Sequence, residues 1–319
     1  MELLAGLSVV GGLVYLVMGG DLLIRGSISI ARRLNMPPAV IGATIVAFGT
    51  SLPELVVSVL AATTGHGGLS MGNVIGSNVA NVLIVLGIPA IIVPVAADPA
   101  MRSHAVFMVI ASVTFVGMCL FGELKAVHGF MLLALLIIAI LLSVTGRVSL
   151  LDLGGEEEVY ERTLGLPQSP WFAWFFILFG GVVMPVGANL TVSGATELAA
   201  NFGISEAAIG ATVVALGTSL PELSVSVMAA MHRQLGMAIG NAVGSNTLNI
   251  LVVIGVTTLF ADLPVPPQAL QFDLWFMLAC ALLVAWIAIA GKSIGRGLGI
   301  GLVLAYGLFA WRTLQSLPT

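Results

Sequence analysis

Charge is what this sequence has least of. Of its 319 residues only 8% are charged, 59% are hydrophobic, and the mean hydropathy is +1.12. A soluble domain carries about 25% charged residues, so a water-solvated fold is excluded and a polytopic membrane protein is indicated. The formal net charge of −4 sits mostly in connecting segments, and there is no basic patch for nucleic acid. Cysteine is almost missing. Cys119 and Cys280 stand in separate apolar stretches, which suits small buried hydrophobes and not a disulfide or metal site. Histidine is scarce too: His66, His104, His128 and His232 fall in or beside predicted loops. An intramembrane enzyme would need a nucleophile–base or metal–ligand set, so that class has no support. The first apolar run, about residues 3–19, lacks a basic leader and an A-x-A-like cleavage site, and reads as a retained first helix.

Long apolar runs are what the chain does have. A spanning helix needs about 20 mainly apolar residues. Ten candidates fit, at about 3–20, 38–62, 71–95, 104–121, 126–145, 171–194, 206–230, 239–260, 271–290 and 296–313. The chain also repeats itself. Residues 42–62 (GATIVAFGTSLPELVVSVLAA) align without a gap with 210–230 (GATVVALGTSLPELSVSVMAA), and 17 of 21 positions are identical. Residues 72–87 align with 240–255 at the same offset of 168, with 9 of 16 identical. The expected fold is all-α: two five-helix repeats, 1–145 and 171–319, joined by a linker at 146–170. Because five is odd, the second copy enters the membrane from the opposite side, which makes this an inverted-topology repeat with its binding site near the midplane.

Basic residues set the orientation. Arg25, Arg32, Arg33, Arg102, Arg147, Arg162, Arg233, Lys292 and Arg296 fall on one expected side, and Lys125 and Arg312 on the other. The positive-inside bias predicts a cytoplasmic-membrane protein with both termini extracytoplasmic and the linker inside. Glu156, Glu157, Glu158 and Glu161 of the linker lack the alternating ligands and Gly of an EF-hand loop, so they read as a solvated connector.

The repeated motif GTSLPE carries the chemistry. Gly49 and Gly217 loosen a helix, and Pro53 and Pro221 remove backbone donors. A break there would free carbonyls near Ala47, Thr50, Ala215 and Thr218, which is tolerable in a membrane only where they line a cavity. Thr50, Ser51, Thr218 and Ser219 add hydroxyls, and Glu54 and Glu222 add charge. A membrane-depth carboxylate marks an ion or proton site by default, and no Lys or Arg lies in the motif helices to neutralise it. Oxygen ligands without Cys or His suit Na⁺ or Ca²⁺ and not zinc or copper.

The second motif, GNxxGSNxxN, puts Asn73, Ser77 and Asn81 on one helix face, repeated as Asn241, Ser245 and Asn249. Gly72 with Gly76, and Gly240 with Gly244, are small-xxx-small pairs that allow close packing. Asn78 and Asn246 lie on a neighbouring face, suited to bonding the broken backbone of the partner helix. Packing would account for a polar face and a kink for each Pro, but neither accounts for duplication of the whole set.

With both motifs paired in order, the chain resembles the calcium/cation antiporter superfamily, especially prokaryotic sodium/calcium exchangers, over essentially its full length. The resemblance implies a Ca²⁺ site at Glu54 and Glu222 with backbone oxygens of Thr50 and Thr218. It implies flanking Na⁺ sites at Ala47, Ser51, Ser77, Ala215, Ser219 and Ser245, shared with both glutamates, and Asn81 and Asn249 bordering the centre. It also implies long first and sixth helices that slide, a role for Gly19, Gly20, Gly26, Gly180, Gly181, Gly187 and Gly194. Asn at position 249, where some relatives have Asp, points to a K⁺-independent exchanger. Three Na⁺ per Ca²⁺ would make the −2 site +1 when loaded, so transport is electrogenic and the membrane potential, about 2.3 kcal/mol per charge per 100 mV, favours Ca²⁺ export. The alternative is a proton/Ca²⁺ antiporter, or one for another divalent cation, on the same scaffold; a passive channel fits the inverted repeat less well. No cofactor is expected. The partners are Na⁺, Ca²⁺ and the bilayer, with no protein partner indicated.

Overall fold

The computed structural model describes residues 2–34, 38–95, 101–144, 165–201 and 215–315. The acidic linker run and residues 202–214 lie outside them. The described chain is predominantly helical. Its first half holds α1 (Glu2–Leu34), α2 (Pro38–Ile41), α3 (Ala47–Thr50), α4 (Leu52–Thr63), α5 (Gly67–Leu83), α6 (Gly87–Ile92), α7 (Met101–Cys119) and α8 (Ala126–Val144). Its second half holds α9 (Pro170–Asn201), α10 (Ala215–Thr218), α11 (Leu220–Met231), α12 (Leu235–Leu248), α13 (Gly255–Phe260), α14 (Leu274–Ala290) and α15 (Arg296–Gln315). π-Helical segments at Gly42–Val46, Asn249–Ile254 and Ala269–Asp273 interrupt the α-helical runs. Among the described residues, six helices are long and apolar enough to cross a membrane, and a bent pair, Gly42–Thr50 with Leu52–Thr63, would make a seventh. Large apolar side chains such as Leu3, Phe130, Trp171 and Leu304 stand exposed on the outer faces, where only a hydrocarbon solvent suits them.

The first helix does not stop near residue 20. It continues to Leu34 as one rod. Asp21 and Arg25 form an ion pair one turn apart at 2.8 Å, so two charges enter the helix with little net penalty. Leu23, Ile24 and Ile28 meanwhile stay fully buried.

α1 lies antiparallel against α9, and glycines spaced by seven residues set the distance. A Cβ on Gly12 would come 2.6 Å from Gly187 O, one on Gly180 2.5 Å from Gly19 O, one on Gly26 2.6 Å from Ala173 O, and one on Gly194 2.6 Å from Ala5 O. No Cβ fits at such separations, so the two backbones touch directly. Gly181 faces open space and takes no part in this seam. The α1–α9 pair shares one apolar core with α11 and the start of α12, while α5, α7, α12 and α14 build the larger second core. Two small β contacts join segments far apart in the chain. β1 (Glu123–Leu124) pairs antiparallel with β2 (Leu263–Pro264), and Val95 bridges Ile294. Cys119 and Cys280 are both buried and free.

Candidate cation site

Each GTSLPE motif breaks a helix. α3 ends at Thr50, Ser51 leaves the helical region at φ −85° and ψ 2°, and α4 departs at 46° to its predecessor. Pro53 stands in the first turn of α4, where a missing N–H costs nothing. Ser219 repeats the break at φ −89° and ψ 4°, with Pro221 in the first turn of α11. Glu54 and Glu222 therefore sit at helix N-termini, where the backbone dipole favours negative charge. The carbonyl end of the preceding helical piece faces the same gap, which favours positive charge. The break thus sets a carboxylate in the first turn of one helical piece beside the C-terminal end of the piece before it.

Glu54 and Glu222 are both fully buried. Ser51 donates a 3.4 Å hydrogen bond to Glu222 Oε1, and the Thr50 and Ser245 hydroxyls also face that carboxylate. Both oxygens of Glu54 and Oε2 of Glu222 have no hydrogen-bond partner among the described residues. The same holds for the side-chain amides of Asn81 and Asn249, each wholly buried, and for the Ser219 hydroxyl. A buried polar atom left unpaired costs about 1–3 kcal/mol. Together these eight atoms, six oxygens (three of them the carboxylates' own) and two amide nitrogens, are the buried polar cage of the described chain, rich in the oxygens that hard cations take.

Asparagines on α5 and α12 brace the cage. Asn73 Nδ2 donates to Ser58 Oγ at 3.0 Å, and Asn241 Nδ2 donates to Ser226 Oγ at 3.1 Å. Thr50 Oγ1 donates to Asn241 Oδ1 at 3.3 Å, and Thr218 Oγ1 donates to Asn73 Oδ1 at 3.3 Å. Every residue in one set lies 168 positions from its counterpart, and the threonine bonds cross between the halves. Asn241 also donates to Glu222 O at 3.1 Å, and Thr50 comes within 3.4 Å of Ser245 Oγ. Ser77 turns its hydroxyl back to Asn73 O.

Several sequence expectations are corrected in detail. Ala47 O is not a free carbonyl: it accepts from Ser51 N at 3.0 Å and from the Thr50 hydroxyl at 3.2 Å, because the helix completes one more α-turn before the break. Asn78 and Asn246 do not reach the broken backbone. Asn246 Nδ2 donates to Asn78 O at 3.1 Å, joining α12 to α5, and Asn78 Nδ2 lies 3.6 Å from Met277 Sδ of α14. Gly49 faces open space, whereas Gly217 packs on Val192 of α9 and Gly244 packs on Ala43. The counterpart of that last contact, Gly76 against residue 211, involves a residue outside the described ones. Ala215 opens α10, and its side chain also lies outside them. Ser58 and Ser226 join the site as residues that the motif spacing alone does not point to. They stand one turn after each glutamate, identical in both copies of the motif, and that identity was the available signal.

The comparisons agree on one family. The family described as sodium/calcium exchanger protein matches residues 4–145 and 172–315. The chain is 35% identical to the putative antiporter CaxA of Alkalimonas amylolytica, covering 95% of this chain and 97% of that one. It is 30% identical to the sodium/calcium exchanger MaX1 of Methanosarcina acetivorans, covering 93% and 95%. Among solved structures, the sodium-calcium exchanger NCX_Mj soaked with Na⁺ and Sr²⁺ superposes with a TM-score of 0.83 at 33% identity, each chain fully covered. The breaks, the buried carboxylates and these likenesses together place the chain in the sodium/calcium exchanger family of the calcium/cation antiporter superfamily, a family of membrane transporters and not of enzymes.

Proposed function

We propose that this chain exchanges Na⁺ for Ca²⁺ across the cytoplasmic membrane by alternating access, independently of K⁺ and electrogenically, with Ca²⁺ exported. In this reading ten helices span the bilayer as two inverted five-helix repeats with both termini outside. Ca²⁺ binds Glu54, Glu222 and the backbone oxygens of Thr50 and Thr218. Na⁺ binds oxygens of Ser51, Ser77, Ser219 and Ser245, of Ala47 where it shares its carbonyl, and of Ala215, with the glutamates common to both ions. Asn81 and Asn249 border the centre.

The observation that carries the reading is the pair of fully buried carboxylates with three unpartnered oxygens and no described Lys or Arg bonded to them. Two carboxylates in low dielectric are costly without a cation. One Ca²⁺ or a set of Na⁺ offsets that cost, so the loaded forms cross and the empty −2 form does not. Obligatory exchange follows from that difference. The test is radiolabelled Ca²⁺ uptake into Na⁺-loaded proteoliposomes diluted into Na⁺-free, K⁺-free buffer, beside vesicles holding only a pH gradient. Uptake driven by the Na⁺ gradient is expected. Uptake driven by the pH gradient alone would make the protein a proton/Ca²⁺ antiporter and withdraw the Na⁺ ligands.

A further inference from the structure

α1 meets the helix that carries Glu222 through two polar contacts. Near the middle of α1, the Ser224 hydroxyl of α11 donates to Leu16 O, and Gly20 leaves room for that side chain. At the far end of α11, His232 Nε2 lies 2.7 Å from Asp21 Oδ1. Asp21 Oδ2 is held by Arg25 Nε at 2.8 Å, an ion pair whose angle is not that of a hydrogen bond. The cluster is largely shielded, with side-chain exposures of 19% for His232 and 23% for Asp21. His232 is also the C-cap of α11, where the helix ends on the left-handed Arg233. A helix C-terminus favours positive charge.

We propose that His232 is a positioning residue whose protonation fastens α1, through Asp21, to the glutamate-bearing helix. This inference rests on the exchanger reading above. Histidine is the side chain whose ordinary charge change falls between about pH 5 and 8. The protonated imidazole makes a charge-assisted bond to Asp21, and the neutral ring makes a weaker one. Other charges do not replace it. Of the remaining elements packed on α11, the described parts of α3, α6, α10 and α12 carry no charged residue. α9 carries Glu197 alone. The α1–α9 register places Glu197 about 28 Å along the helix from the level of Asp21. On α1 itself, Arg33 is engaged with Gln168 O and Arg32 is exposed. Arg233 follows His232 in the chain. No hydrogen bond found for the cage residues reaches His232 or Asp21, so in the exchanger reading the contact bears on movement of α1 against α11 during alternating access and not on cation ligation. A firmer contact slows that movement.

The test measures Na⁺-driven Ca²⁺ exchange with pH equal on both sides of the vesicle, at about pH 6 and about pH 8. Wild type is expected to lose turnover on acidification by about two- to fivefold more than His232→Gln, the range a shielded ion pair supplies. His232→Lys, with a fixed charge, is expected to be slow at both values. A pH profile for His232→Gln that overlays wild type would overturn the proposal. A thermal-unfolding cycle of Asp21→Asn, His232→Gln and the double variant reads the contact without transport. Non-additive melting shifts, larger at about pH 6 than at about pH 8, are expected; additive shifts at both would overturn it. Absence of Na⁺-driven exchange in wild type would instead refute the exchanger reading, while the unfolding cycle still decides the contact.

Discussion

Asn241 and Asn249 stand two turns apart on the α12 run, both wholly buried, yet removing their amides has different consequences for stability. Asn241 makes three hydrogen bonds: to Glu222 O and Ser226 Oγ at 3.1 Å each, and from Thr50 Oγ1 at 3.3 Å. In Asn241→Ala, Thr50 keeps its bond to Ala47 O, but Glu222 O and Ser226 Oγ lose a donor in a site that water enters poorly. At about 1 kcal/mol per bond, plus the desolvation left behind, the loss is about 2–4 kcal/mol. Asn249 has no hydrogen-bond partner on either amide atom. Asn249→Ala removes a buried, unpaired dipole, which offsets the small packing loss, so stability changes by less than about 1 kcal/mol. Thermal unfolding of detergent-solubilised protein in EGTA and without Na⁺ separates the two: Asn241→Ala melts well below wild type, and Asn249→Ala melts with it. Adding Ca²⁺ then reports ligand linkage, worth about 2.7 kcal/mol at one hundred times Kd. Wild type gains this protection, and Asn249→Ala gains less. Equal destabilisation by both variants in the apo protein would refute the reasoning.

Glu54→Gln and Glu222→Gln each remove half of the site charge, and each is expected to abolish Ca²⁺ transport while leaving the fold intact; near-normal exchange in either would contradict the site. Gly187→Ala places a Cβ 2.8 Å from Gly12 O and 2.9 Å from Leu16 N, so overpacking of about 1–3 kcal/mol should lower the melting temperature. Gly181→Ala, which meets nothing within 4 Å, should match or exceed wild type through helix propensity. Ser219→Ala removes a buried hydroxyl with no partner; the expected outcome is unchanged melting and a higher Na⁺ concentration for half-maximal exchange.

The repeated motifs made the helix breaks and the carboxylates readable directly, because Pro and Gly punctuate a helix locally and a membrane glutamate needs a cation. The asparagine faces were readable from their spacing of four. What the sequence did not carry were bonds whose partners lie far apart in the chain. Asn241 reaching Ser226 and Glu222, or Asn246 reaching Asn78 across 168 residues, depends on how the repeats dock. The span expected at about 3–20 continues to Leu34, in keeping with the long first helix that the resemblance implied, because Asp21 and Arg25 one turn apart enter the helix as a neutral pair. The π-helical segments were also hidden, since an extra residue in a turn leaves no compositional mark. The seven-residue glycine spacing is present in the sequence, but it acquires meaning only with α9 antiparallel beside α1.

The central claim is that Na⁺ and Ca²⁺ share one site built on Glu54 and Glu222. Equilibrium binding of radiolabelled Ca²⁺ to the purified protein, titrated with Na⁺ at constant ionic strength, tests it most directly. The account predicts competitive displacement by Na⁺ in wild type and loss of high-affinity Ca²⁺ binding in both Glu54→Gln and Glu222→Gln. Ca²⁺ binding that Na⁺ leaves untouched, or that survives in either variant, would contradict it.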